Sequence, residues 1–89
     1  MPVIRGSVRD DGGRPVPHAR AYFVSGPGPY PDVAAVADED GEFALGAPFR
    51  GTYEIGCSAD GFASRVVAVD AGEAEEVGVE IRLAATDPG

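Results

Sequence analysis

His18 is the only imidazole in the chain, Cys57 its only thiol, and all seven basic residues are Arg. A His-rich zinc or iron site within one chain is therefore excluded, because such sites take several nitrogen or sulfur ligands. A Ser/His/Asp triad would have to form around His18, which stands beside Pro17 in a sequence without a nucleophile-elbow motif. The structural reading of His18 is a solvated or locally hydrogen-bonded ring. Cys57 shares the phase of Tyr53 and Ile55 in an alternating run. A neutral thiol there behaves as a small apolar group, whereas a reactive thiolate needs exposure and a nearby cation. Asp38-Glu39-Asp40-Gly41 resembles half of a calcium loop, but the bidentate Glu at the twelfth position and the flanking helices are missing. Tyr22, Tyr30, Phe49 and Arg50 are the candidate partner-binding side chains, since aromatic rings and Arg anchor interfaces.

The elements that must position these residues are strands. The 13 Gly and eight Pro break the chain so often that no stretch is long enough for an amphipathic helix. At 89 residues the chain is one domain, residues 1–84, followed by a tail at 85–89 that reads as frayed. The net charge of -8 argues against nucleic acid or an anionic membrane as partner and favours a protein with a neutral or basic surface. The absence of Lys and Asn removes N-glycosylation, Schiff-base chemistry and Lys–Asn crosslinks. A single Cys excludes an intrachain disulfide, which suits a reducing compartment. Residues 1–8 hold no apolar run of signal-peptide length, and no stretch approaches the ~20 apolar residues of a membrane helix. The expected setting is the cytoplasm, or outside the cell if the chain is an excised module.

Seven short strands are expected, at about 3–9, 19–24, 33–38, 42–45, 52–59, 62–69 and 77–83. Ile4, Gly6 and Val8 share one face of the first. Ala19, Ala21 and Phe23 point inward from the second, which sends Arg20 and Tyr22 outward. Val77, Val79, Ile81 and Leu83 share a face of the seventh, and the sixth stays open because Val66 and Val67 are adjacent. Residues 10–15 read as a hairpin turn, and Asp60-Gly61 reads as a two-residue hairpin. Tyr53, just after Gly51-Thr52, has the placement of a tyrosine corner. Such spacing describes a two-sheet sandwich.

Five motifs in order, Ile4-Arg5-Gly6-Ser7-Val8, Gly13 to Ala19, Asp38 to Leu45, Gly51-Thr52-Tyr53 and Asp60-Gly61-Phe62, together resemble the carboxypeptidase regulatory-like domain family. The resemblance spans about residues 3–83. It implies an all-β, seven-stranded Greek-key sandwich of transthyretin or prealbumin type, serving as a non-catalytic accessory module without a cofactor. Two enzyme groups with sandwiches of this shape, the hydroxyisourate hydrolases and the intradiol dioxygenases, use several His or paired Tyr and His ligands, and one His cannot supply either set.

If successive strands run antiparallel, the turns after strands one, three and five meet at one end of the sandwich. Asp10, Asp11, Asp40 and Asp60 then form a candidate calcium site, weighed against solvated turn residues. The loops at 25–32, 46–51 and 70–76 meet at the other end and bring Tyr30, Phe49 and Arg50 together. Tyr30 is expected to be exposed, while Phe49 is either an exposed anchor or a lid on the core. The leading function is a protein-interaction or accessory module, with an edge-strand dimer as one mode of association. A carbohydrate-binding-like module is the alternative, weakened by the absence of Trp. The third reading is an enzyme subunit completing a site with a partner chain.

Overall fold

The computed structural model describes residues 2–72 and 74–86. Seven strands form in chain order: β1 Val3–Asp10, β2 Arg20–Ser25, β3 Ala35–Val36, β4 Glu42–Gly46, β5 Gly51–Ser58, β6 Arg65–Ala71 and β7 Glu76–Leu83. They make the expected Greek-key sandwich of a three-stranded sheet, β4-β1-β7, and a four-stranded sheet, β3-β2-β5-β6. β1 pairs antiparallel with β4 and parallel with β7.

Period-2 alternation buries one face of each sheet. Ile4, Val8, Phe43, Leu45, Ile81 and Leu83 meet Ala21, Phe23, Tyr53, Ile55, Cys57 and Val69 from the opposite sheet. Each large side chain so buried contributes about 1.5–3 kcal/mol. Gly6 leaves a gap in the inward row of β1. Phe43, directly opposite in register, lays its ring across the gap, and a Cβ at Gly6 would collide with it. The register Gly56↔Val66 and Ile55↔Val67 also decides the facing of β6: Val67 shares the core side with Ile55, and Val66 is 52% exposed.

Four local expectations are corrected. β1 and β2 do not form a hairpin, for they lie in different sheets. After the turn, Val16 N–H donates to the Val8 carbonyl at 2.9 Å, and His18, at φ 66°, then turns the chain toward the second sheet. β3 is two residues long rather than six, although Ala37 continues its pairing by donating to the Ala19 carbonyl. Asp60-Gly61 does form a turn, with Phe62 N–H donating to Ala59 at 3.1 Å, but β6 resumes only at Arg65. Residues 61–63 instead pair with 84–86 through Ala63 N–H to Ala84 and Thr86 N–H to Gly61, each 2.9 Å. Ala85 and Thr86 are thus bonded rather than frayed, and the rest of the expected tail, 87–89, lies outside the described residues.

Candidate interaction site

The loops after β2 and β4 interlock at one pole. The hydroxyl of the fully buried Tyr53 accepts a hydrogen bond from Phe49 N–H at 2.9 Å and donates one to the Phe49 carbonyl at 2.8 Å. This is the tyrosine corner expected from Gly51-Thr52-Tyr53. It satisfies both backbone groups of a loop residue that has no strand partner. Glycines set the remaining fit. The Phe49 ring rests on Gly28, where a Cβ would come within 3.0 Å of it. Pro27 rests on Gly51, whose φ of 136° suits glycine alone.

Phe49 emerges from this packing 47% exposed, so its ring does not close over the core as a lid. Tyr30 is 36% exposed and less free than expected. Its ring centroid lies 5.6 Å from that of Phe23, and its hydroxyl donates to the Val24 carbonyl at 3.0 Å. Pro29 and Pro31 do not prevent the loop from folding the ring back onto β2. Arg50 is exposed between Phe49 and Gly51. Tyr22 does not join this group: it lies on the outer face of the four-stranded sheet, flat against Gly56, its register partner on β5.

The opposite pole holds the acidic turns, and sequence reasoning missed their construction. In Asp10–Arg14, Asp10 Oδ1 accepts N–H bonds from Gly12 and Arg14, each 2.9 Å. In Asp38–Glu42, Asp38 Oδ1 accepts from Asp40 and Glu42 at the same distance. Gly13 and Gly41 take positive φ at the fourth position of each. The signal was the shared Asp-x-x-Gly spacing, which is turn chemistry rather than ligand spacing. Among the described residues no group of three or more His, Cys, Asp or Glu side chains could hold a metal ion, so Asp10, Asp11, Asp40 and Asp60 share a pole without converging.

His18 is exposed, and a shallow cleft of about 300 Å³ lies between it, Arg20, Asp60 and Phe62. Cys57 is fully buried, and burial raises its thiol pKa, which keeps it neutral and unreactive. On the outer face of the three-stranded sheet, Arg5 pairs with Glu76 at 2.6 Å and Arg82 with Glu80 at 3.1 Å.

These features define a β-sandwich with a fixed aromatic pole and no convergent set of catalytic groups among the described residues. The chain belongs to the carboxypeptidase regulatory-like domain family, whose model matches residues 3–84. No curated protein matches it. Among solved structures, the Bacillus anthracis TIE protein is similar at TM-score 0.74 and 11% identity, over 94% of this chain and 16% of that one. A chain of a type II cohesin–X-dockerin complex from Acetivibrio cellulolyticus is similar at TM-score 0.70 and 15% identity, over 96% of this chain and 58% of that one. A 3-chlorocatechol 1,2-dioxygenase from Rhodococcus opacus 1CP is similar at TM-score 0.65 and 16% identity, over 94% and 59%. At such identities the likeness is one of fold, and this domain spans well under two thirds of each of those chains.

Proposed function

We propose that this domain is a non-catalytic interaction module that binds a protein partner through the pole carrying Tyr30, Phe49 and Arg50. The observation that carries the reading is the half-exposed Phe49 ring on a backbone fixed by Tyr53. A pre-positioned aromatic loses little conformational entropy on binding, which is how a small surface gains affinity. The net charge of -8 points to a neutral or basic partner surface. Membership of a regulatory-like family and similarity to a chain of a cohesin–X-dockerin complex support an interaction role. The dioxygenase-like alternative lacks support in the side chains, since one exposed His and one buried thiol offer no iron ligand set.

The test is site-specific photo-crosslinking in the native cell from position 49, with position 40 at the acidic pole as control. A discrete protein adduct from 49 and none from 40 is expected. Adducts from 40 alone would overturn the assignment, and glycan-array binding lost in Phe49→Ala would replace it with the carbohydrate-binding reading.

A further inference from the structure

The two outer faces of the sandwich differ in kind. That of the three-stranded sheet is laced with Arg–Glu pairs. That of the four-stranded sheet is apolar along its middle. The register sets Val36, Arg20 and Ser58 side by side in one row, and Tyr22, Gly56 and Val66 in the next. Val24, Glu54 and Ala68 follow, with Val24 pushed out at the register shift between Phe23 and Ser25. Val36 is 60% exposed, Val66 52% and Val24 44%. No charge interrupts the middle row, and the charges that border it are of opposite sign: Arg20 on one side and Glu54 on the other. Glu54 accepts a bond from Ser25 Oγ at 2.7 Å, while Arg20 makes no side-chain hydrogen bond or ion pair within the described residues.

We propose that this face is a self-docking surface, on which two copies of the chain pair about a two-fold axis that crosses the strands near the Tyr22–Gly56–Val66 row. The face is complementary to itself. Arg20 and Glu54 stand one strand and four residues apart, so an axis at right angles to that diagonal is tilted roughly 20° from the row. Rotation about it places Arg20 of each copy over Glu54 of the other. The same rotation sets Val66 beside its own mate and Val36 against Val24. The face satisfies the requirement of an isologous contact, that one patch be complementary to itself. Tyr22 covers Gly56 and leaves a flat surface, which suits sheets stacked about 10 Å apart. A basic heterologous partner fits this face less well, because the Arg20 side would repel it.

Three rows on four strands about 4.8 Å apart give a small footprint, at the low end of specific interfaces, and two copies of net charge -8 repel at long range. The dimer is accordingly weak, and salt acts on it in two opposing ways, screening both the general repulsion and the Arg20–Glu54 pairs over about 8 Å.

Sedimentation equilibrium on the purified chain, from about 10 µM to 1 mM, reads this directly and needs no other partner, so it stands apart from the proposed function. Reversible dimerisation is expected, with at least a tenfold weakening in Arg20→Glu and in Glu54→Arg. Recovery in the Arg20→Glu/Glu54→Arg double variant is expected, because the swap restores both cross-copy pairs. Val66→Asp, at an exposed position, should abolish association, and a cooperative melt in each variant confirms that it folds. A monomer throughout the range, a dimer that survives Val66→Asp, or a double variant that does not recover overturns the proposal.

Discussion

The Tyr53 hydroxyl holds the Phe49 backbone from both sides, accepting from its N–H at 2.9 Å and donating to its carbonyl at 2.8 Å. Core and aromatic pole are thus joined through one side chain: the ring lies among core residues, 4.9 Å from that of Phe23, while its oxygen sets the loop.

Tyr53→Phe keeps the ring and strands two backbone groups, at a cost of about 1–3 kcal/mol. For a domain of this size that lowers Tm by roughly 4–8 °C per kcal/mol. Tyr53→Ala adds a cavity and costs about 3–5 kcal/mol or more. Thermal melts of the two variants check the contrast, and an unchanged Tm in Tyr53→Phe would mean that the hydroxyl bonds contribute nothing.

Asp38→Ala removes the acceptor for Asp40 and Glu42 N–H and should cost about 1 kcal/mol, with a similar loss for Asp10→Ala at the matching turn. Chemical denaturation of each variant and of the pair measures it. The losses should add if the two turns act independently.

Gly56→Ala places a methyl against the Tyr22 ring, which must then lift from the sheet. Destabilisation of about 1–3 kcal/mol is expected in the wild-type background and much less in Tyr22→Ala. A double-mutant cycle by urea denaturation tests the coupling.

Burial raises the pKa of Cys57 in the folded state, so the folded chain holds that proton more tightly than the unfolded chain. The stabilisation is complete below the unfolded thiol value, about 8.5, and is lost as pH rises from there through the raised folded value. Between about pH 8 and 9.5 the wild type should lose stability more steeply than Cys57→Ala, as read by urea midpoints. Parallel curves would contradict the buried neutral thiol.

Strand phase was legible because alternation is local: Ile4, Gly6 and Val8, and likewise Tyr53, Ile55 and Cys57, point inward as their spacing requires. Sheet membership was not legible. Residues 10–15 carry real turn chemistry, yet the path of the chain beyond them depends on His18 at φ 66° and on pairing with β3, neither of which is written in residue type. The facing of Val66 and Val67 needed the register with Gly56 and Ile55. The two poles are readable from strand alternation alone, which is why Tyr30, Phe49 and Arg50 come out on the same side. Tyr22 falls outside that group because alternation on β2 turns it to the outer face with Arg20, whereas its cover of Gly56, on a strand distant in sequence, was not legible.

The most direct test of the central claim is the affinity of the partner captured from position 49, measured by calorimetry against Phe49→Ala, Arg50→Ala and Asp40→Ala. Phe49→Ala is expected to weaken binding at least tenfold, about 1.4 kcal/mol, with a smaller loss in Arg50→Ala and none in Asp40→Ala. Unchanged affinity in Phe49→Ala with a loss in Asp40→Ala would move the binding surface to the acidic turns and contradict the account.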